Sequence, residues 1–297
     1  MNRRKFLGMA AIGGMAAATS KSWASTVTEN TASAHDLSVH FLGTGAAGKN
    51  MSKDAPNYRR RSSIIVDNKF FIDLTETVLD MVPSERPDTI FYTHSHSDHF
   101  EPATALKMGI KTVYLSNTWY DIASQAFQKA AKENNLPMPT IIPIATCSSV
   151  RIGDITITAL PANHPTNYLL EQSLIYLIEK GGVRLLYATD TSGIPGVAAR
   201  FTGIDKHKPG KPITALIMEA TMGVGHKDDF RIFAHSSVGT VAQTVKVLKE
   251  TKRYNPPAGQ PVYITHMAAG LHPANEQLPP PLKKAEDGLE VVFTSPK

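Results

Sequence analysis

The segment from His94 to His99 concentrates residues that bind metal ions. Three histidines and an aspartate lie within six positions in the order H-x-H-x-D-H, directly after an apolar run. Imidazole nitrogens and carboxylate oxygens are ligands that zinc, manganese and iron accept. His94 and His96 are two positions apart, so they share one face of an extended segment, whereas Asp98 and His99 follow a turn and can face a second ion. The segment therefore predicts a metal centre where a strand ends.

The motif resembles that of the metallo-β-lactamase superfamily, which builds a two-metal hydrolytic centre in an αββα sandwich. The resemblance implies further ligands, and His164, Asp190 and His266 occur in the expected order, each directly after an apolar run typical of a buried strand. It implies two ions with these ligands: His94, His96 and His164 for one, Asp98, His99 and His266 for the other, and Asp190 bridging both. It also implies that Asp73 contacts a ligand histidine and orients it without binding the metal itself.

The implied cofactors are two divalent metal ions, with zinc expected and manganese or iron compatible with the same ligands. Two adjacent ions lower the pKa of a shared water, so a metal-bridging hydroxide would be the nucleophile. Asp98 is then expected to act both as a ligand and in catalysis. β-Lactam-hydrolysing members usually lack an aspartate at the bridging position. Asp190 therefore favours the phosphodiesterase, thioesterase or lactonase branches.

Three further segments resemble the branch that contains PhnP and tRNase Z. They are Leu42-Gly43-Thr44-Gly45, Met218-Glu219-Ala220-Thr221 and Phe233-Ala234-His235-Ser236-Ser237. By this resemblance His235 would protonate a leaving alkoxide, and Glu219 would hold its imidazole ring. Met218 stands where tRNase Z has a histidine, which argues against tRNA as the substrate.

A basic run, Arg59-Arg60-Arg61, precedes the strand predicted at 64–66. Guanidinium groups bind phosphate oxygens in pairs of hydrogen bonds, so Arg60 and Arg61 are predicted to bind the substrate. The alternative is an exposed basic entry to a strand.

Alternating strands and helices without an intervening linker predict one domain over residues 36–297. Long strands are expected at 149–160 and 289–293, and helices at 117–134, 196–201 and 237–251. The prolines at 279–281 are expected to lie on the surface.

Residues 1–24 are predicted to be a signal peptide, followed by a flexible lead-in over 25–35. A basic start precedes a short apolar run, and Arg3-Arg4-x-Phe6-Leu7 resembles a twin-arginine signal. An ordinary secretory signal is the alternative. Both predict an exported protein, periplasmic or extracellular. No later apolar stretch reaches eighteen residues, so no membrane span is expected after signal removal.

The net charge and the cysteine count limit the partners and the kinds of cross-link or metal site that the chain can have. Removing four basic residues of the signal from the total of 31 leaves 27, against 26 acidic residues, so the formal charge of the mature chain is +1. A near-neutral chain argues against nucleic acid as a partner, while a homodimer remains compatible. The single cysteine, Cys147, excludes an intrachain disulfide and a cysteine-rich zinc site.

The predicted function is hydrolysis of a small cyclic or diester phosphate by a dinuclear metal-dependent phosphodiesterase. The alternatives are a lactonase or β-lactamase-like hydrolase, and a metal-loaded binding or accessory protein without turnover.

Overall fold

The structure, a computed structural model, describes residues 35–47, 55, 57–205, 209–226 and 229–296. The predicted signal peptide lies outside these residues, as does the predicted lead-in apart from residue 35. Within the described part of the chain, no helix is long and apolar enough to cross a membrane.

The described residues form fourteen strands and four α-helices. The strands are β1 (Leu37–Gly43), β2 (Ser63–Val66), β3 (Phe70–Ile72), β4 (Thr89–Phe91), β5 (Thr112–Ser116), β6 (Thr140–Ile144), β7 (Ser149–Ile152), β8 (Ile155–Pro161), β9 (Leu174–Lys180), β10 (Val183–Ala188), β11 (Ala215–Glu219), β12 (Val262–Thr265), β13 (Leu282–Lys284) and β14 (Glu290–Phe293). The helices are α1 (Pro102–Lys107), α2 (Tyr120–Asn134), α3 (Gly196–Thr202) and α4 (Val238–Glu250). Short 3-10 turns occur at Glu76–Met81, Asn117–Trp119, Phe230–Phe233 and Ala269–Leu271.

The strands build two seven-stranded mixed sheets. The first has the order β14-β1-β2-β3-β4-β5-β6, and the second has the order β13-β12-β11-β10-β9-β8-β7. In each sheet one half is antiparallel and the other half is parallel. Strands β8, β10, β11 and β12 run in the same direction, so their carboxyl ends lie at one edge of the second sheet.

Side chains alternate between the two faces of each sheet, which places the sheets between two helical layers. In β2, Ile64 and Val66 enter the core shared by both sheets, whereas Ile65 belongs to the outer core beneath α1 and α2. The other face of the second sheet packs against α3 and α4 through Ala198 and Val241, among others. This is the predicted αββα sandwich.

The two sheets are joined close to the predicted metal ligands. The buried Tyr176 on β9 donates its hydroxyl hydrogen to the carbonyl oxygen of Tyr92 at 2.6 Å, and Leu174 N donates to Thr93 O at 2.9 Å. Both acceptors directly follow β4 and precede His94. Packing between the sheets therefore fixes where the H-x-H-x-D-H segment begins.

Close backbone approach explains the glycines of the Leu42–Gly45 segment. A Cβ on Gly43 would lie 2.0 Å from the carbonyl oxygen of Arg61, which no small adjustment relieves. The same loop exchanges backbone hydrogen bonds with the residue after His266: Met267 N donates to Thr44 O, and Ala46 N donates to Met267 O. These glycines thus bring the first sheet against the end of β12.

Several sequence-based boundaries differ from the structure. The strand predicted over 149–160 is a hairpin of β7 and β8, because Gly153 adopts a positive φ of 60° and turns the chain. The helix predicted from 117 begins with a 3-10 turn, and α2 proper starts at Tyr120. The proline segment leads into β13, a strand that the sequence analysis did not predict. The final strand does lie at the edge of the first sheet, as β14.

Candidate active site

All seven predicted ligands lie just beyond the carboxyl ends of strands. The H-x-H-x-D-H segment follows β4, His164 follows β8, Asp190 follows β10, and His266 follows β12. The last three follow strands of the second sheet whose carboxyl ends meet at one edge, and the contacts between the sheets beside His94 bring the segment after β4 to the same place, so residues more than 170 positions apart converge.

Three histidines form the first cluster. His94 Nε2 lies 2.9 Å from His96 Nδ1, and His164 Nε2 lies 3.1 Å from the same nitrogen. His94 is fully buried, while the other two border a cavity. The three nitrogens are arranged as ligands of one ion would be.

The second cluster contains His99, His266 and Asp98. The two Nε2 atoms are 3.2 Å apart, and Asp98 Oδ2 lies 3.5 Å from each of them. Asp190 lies between the clusters: its Oδ2 is 2.6 Å from His99 Nε2 and 3.6 Å from His94 Nε2. A carboxylate in this position can contact ions in both clusters.

Asp73 and Thr93 determine which nitrogens of His94 and His99 carry hydrogen. Asp73 Oδ2 lies 2.8 Å from Thr93 Oγ1 and 2.7 Å from His99 Nδ1. A carboxylate only accepts hydrogen bonds, so both of these atoms donate to it. Thr93 Oγ1 has then used its hydrogen and accepts from His94 Nδ1, 3.0 Å away. The Nε2 atoms of both histidines therefore keep lone pairs directed into the site.

Two further acceptors determine which ring nitrogen carries hydrogen in His164 and His266. His164 Nδ1 lies 3.1 Å from the carbonyl oxygen of Ala234 and donates to it. Thr221 Oγ1 gives its hydrogen to Glu219 Oε2 at 2.6 Å and accepts from His266 Nδ1 at 3.0 Å. The inner Nε2 atoms are again left as acceptors.

In their neutral forms, His94, His99, His164 and His266 thus direct the lone pairs of Nε2 into the site, where the carboxylates of Asp98 and Asp190 also lie. Burial and neighbouring histidines lower the pKa values of His94 and His96, which favours neutral rings. Burial alone would raise the pKa of Asp190, but its contacts with His266, His99 and His235 outweigh burial and hold this pKa well below its ordinary value. Burial alone would lower the pKa of His99, but the carboxylates of Asp190, Asp98 and Asp73 in turn raise this pKa well above its ordinary value, so metal binding there would displace a proton. Neutral imidazoles and ionised carboxylates are the forms that bind metal, so the donor set fits two divalent ions.

Three of the residues in this arrangement have unusual backbone conformations. Asp73, Asp190 and His266 have φ values of 57°, 46° and 52°, in the left-handed region. Each is the first or second residue after a strand, and such conformations cost of order 1 kcal/mol or more for residues other than glycine. The backbone turns sharply at these points and directs the side chains across the sheet edge.

His235 lies beside the second cluster and is held by two carboxylates. Its Nδ1 is 3.2 Å from both Glu219 Oε1 and Asp190 Oδ1. Burial lowers the pKa of His235, but the hydrogen bonds to Asp190 and Glu219 outweigh burial and raise this pKa to about 10. Glu219 Oε1 also accepts from Thr191 N at 2.8 Å, so the carboxylate that holds the imidazole is itself fixed. With Nδ1 occupied, Nε2 is the nitrogen left for a substrate.

A cavity of about 550 Å³ lies over these groups. Its polar lining includes His96, Asp98, His164, Asp190, Thr221, Arg231, His235 and His266. The remaining lining is small and apolar, and comes from Ala46, Ala47 and the 268–271 segment. Arg231 lies in the 3-10 turn just before His235, with Nη1 2.6 Å from Asp229 Oδ2. It is the arginine in this lining, and the sequence analysis did not select it.

The arginines selected from the sequence lie elsewhere. Arg60 makes a paired contact with Asp80, with Nη2 2.5 Å from Oδ2 and Nε 3.0 Å from Oδ1. Arg61 Nη1 donates to the carbonyl oxygen of Ser97 at 3.0 Å, which supports the loop between His96 and Asp98. Neither residue is part of the cavity lining. Their predicted binding of a phosphate stays a prediction, and their contacts here are with protein groups.

Glu171 is another residue that the sequence analysis missed. Its carboxylate accepts from Ser95 N at 2.7 Å and Ser95 Oγ at 2.5 Å, so it braces the residue between His94 and His96. Nothing in its local sequence indicates this contact, which joins positions 76 apart in the chain. Met218, by contrast, lies in the outer core of the second sheet, away from the cavity.

Comparison with known proteins agrees with this geometry. A family model described as "Beta-lactamase superfamily domain" matches residues 79–267, more than half of the chain. The chain belongs to the metallo-β-lactamase superfamily. The matched range includes the ligand segment after β4 and ends one residue after His266. Membership of this superfamily supports the assignment of the chain as a hydrolase with metal sites.

Solved structures share the superfamily fold over nearly all of their own length. A diphosphatase from the PhnP family is 20% identical, with a TM-score of 0.61 over 87% of this chain and 97% of that one. Human tRNase Z, short form, is 18% identical, with a TM-score of 0.59 over 86% and 98%. Zn²⁺-bound PqqB from Methylobacterium extorquens is 16% identical, with a TM-score of 0.63 over 86% and 99%. No curated protein sequence matches this chain significantly.

Proposed function

We propose that this metallo-β-lactamase-fold chain is a phosphodiesterase that hydrolyses a small cyclic or diester phosphate. The observation that carries the proposal is the position of Arg231 and His235 on one cavity, beside the two clusters of predicted metal ligands. Beside the metal centre, hydrolysis of an alkyl phosphodiester is favoured by a cation that binds the phosphate and by an imidazole fixed in position to protonate the leaving group.

The seven predicted ligands would hold two divalent ions. Ions bound there would supply Lewis acidity toward a phosphoryl oxygen and an activated water. The histidine-rich donor set favours zinc, and the structurally similar PqqB is described as Zn²⁺-bound, which supports zinc as the metal. Manganese and iron suit the same ligands.

Arg231 and His235 have separate tasks in this proposal. Arg231 binds a non-bridging phosphate oxygen and draws the diester into the cavity. His235 gives the proton on Nε2 to the departing alkoxide oxygen, while Glu219 and Asp190 hold its Nδ1–H and fix the ring. An alkoxide is a poor leaving group, so protonation at this oxygen lowers the barrier far more than it would for a nitrophenolate.

The similar folds include a diphosphatase and a tRNase, and both names describe enzymes that break phosphorus–oxygen bonds, of a diphosphate and of an RNA. The near-neutral charge of the chain after residue 24 favours a small substrate over tRNA. The size of the cavity also suits a small ester.

Arg231→Met tests the phosphate contact. We expect kcat/KM for small phosphodiesters to fall about 10- to 100-fold, because a hydrogen-bonded charge contact is lost, while bound metal is unchanged. Arg151→Met, an exposed arginine on β7, is the matched control and should leave kcat/KM unaltered. An unchanged rate on diesters, or an equal loss on a neutral lactone, would contradict this role and favour the lactonase alternative.

A further inference from the structure

Two segments that each contain or adjoin a cavity-lining residue, His164 in one and Arg231 in the other, expose large apolar side chains to solvent. Leu169 and Leu170, in the loop after β8, are 99% and 83% exposed. Phe230 and Phe233, in the 3-10 turn before His235, are 74% and 81% exposed. We call these four residues the apolar rim. Exposed apolar groups on this scale, gathered in two neighbouring segments, are typical of binding surfaces.

The rim is attached directly to the catalytic groups. Arg231, which lines the cavity, has its guanidinium carbon 5.0 Å from the centre of the Phe230 ring. Ala234, between Phe233 and His235, accepts a hydrogen bond from His164. A group bound by Arg231 and His235 therefore has the aromatic side chains of this turn within reach.

The second segment is fixed beside the metal ligands by contacts on both sides of the leucines. Asn167 Nδ2 donates to Ser95 O at 3.2 Å, and Glu171 accepts from Ser95 N. Ser95 separates His94 from His96, so the loop that presents Leu169 and Leu170 is anchored at the first cluster. The same hydrogen bond from His164 to Ala234 links this loop to the aromatic turn.

Resting on the proposed function, we infer that the substrate is a phosphodiester with an apolar alkyl or aryl substituent, which the rim covers. The cavity floor is polar and suits the phosphate, whereas the walls from Ala268 to Leu271 and the rim offer apolar contacts. The rim side chains offer no hydrogen-bond donors or acceptors, so they suit an apolar substituent better than a sugar. Charge and polarity thus divide the site into a phosphate end and an apolar end.

The test measures binding of non-hydrolysable monoanions, namely dimethylphosphinate, methyl(propyl)phosphinate and hexyl(methyl)phosphinate, to the zinc-loaded full chain by calorimetry. These phosphinates carry two P–C bonds and no ester bond. We expect affinity to rise about two- to fourfold per methylene, because each methylene leaves water on binding. In the double variant Leu169→Ser/Phe233→Ser the rise from methyl to hexyl should shrink several-fold, with the affinity for dimethylphosphinate unchanged.

Met138→Ser/Val247→Ser is the matched control, since it removes apolar side chains that are each 43% exposed and lie in segments without a cavity-lining residue. This control variant should show the same rise in affinity with alkyl chain length as the wild type. Equal affinity for the dimethyl and hexyl(methyl) phosphinates, together with turnover of bis-nitrophenyl phosphate, would overturn the inference and leave the phosphodiesterase proposal intact. Absence of both binding and diester turnover would overturn both proposals. A chain-length effect that the rim variant retains would also overturn the role of the rim.

Discussion

Replacing Asp190 with alanine is expected to reduce phosphodiester turnover at least about 10³-fold and to lower the bound metal content. Asp190 is 2% exposed, and its Oδ2 faces His94 of the first cluster and His99 of the second. No other carboxylate in the described part of the chain occupies this position between them. Its removal withdraws a charged ligand from both ions, and the loss of a metal-activated water accounts for the size of the effect.

Metal content after dialysis and steady-state kinetics would be measured on the same preparation, with thermal unfolding to establish that the variant is folded. Asp154→Ala is the control, because Asp154 lies in the exposed turn between β7 and β8 and pairs with Lys69. Two bound metals and unchanged turnover in Asp190→Ala would refute the bridging role and, with it, the two-metal centre.

Replacing His235 with alanine should separate substrates by their leaving groups. For alkyl diesters we expect kcat to fall about 10²- to 10⁴-fold, the usual contribution of a positioned general acid. Nitrophenyl diesters should slow far less, since nitrophenolate departs without a proton. The geometry that predicts this is a ring held at Nδ1 by Glu219 and Asp190, with Nε2 left for the substrate.

Glu219→Gln provides a graded comparison. The amide can still contact Nδ1 but lacks the negative charge, so alkyl diesters should slow by an intermediate factor. Both variants should retain their metal ions. Equal slowing of alkyl and nitrophenyl esters would remove the general-acid role, and loss of metal from His235→Ala would identify His235 as a ligand.

The residues that were predictable from sequence share one property: each directly follows an apolar strand. His164, Asp190 and His266 could be selected because β8, β10 and β12 are visible as apolar runs, and strand ends meet at a sheet edge. Asp73 could be selected in the same way, and it does lie 2.7 Å from His99. The αββα arrangement was predictable through the resemblance to the superfamily, which the ligand segments carry.

Contacts between distant side chains were not predictable in this way. Glu171 braces Ser95 across 76 positions, and no local pattern distinguishes it from any exposed glutamate. Arg60 was selected for its charge alone, yet Asp80 occupies its guanidinium group. Arg231 had one available indication, its place four residues before His235 and two before the segment that resembles the tRNase Z motif.

Short elements were also hard to predict, for local reasons. The β7–β8 hairpin looked like one strand because Ile152 and Ile155 continue the apolar character on either side of Gly153 and Asp154. Strand β13 has only three residues, and its pairing with β12 depends on tertiary contact rather than on its own composition.

The most direct test is a side-by-side assay of the full chain, loaded separately with zinc and manganese, with metal ions counted in each sample. The substrates are bis-nitrophenyl phosphate, a 2′,3′-cyclic nucleotide, a lactone and a chromogenic cephalosporin. The proposed function predicts two metal ions per chain and turnover of the phosphates alone, abolished by chelation. Turnover of the lactone or cephalosporin without the phosphates would contradict it in favour of another hydrolase, and two bound ions without any turnover would favour a binding protein.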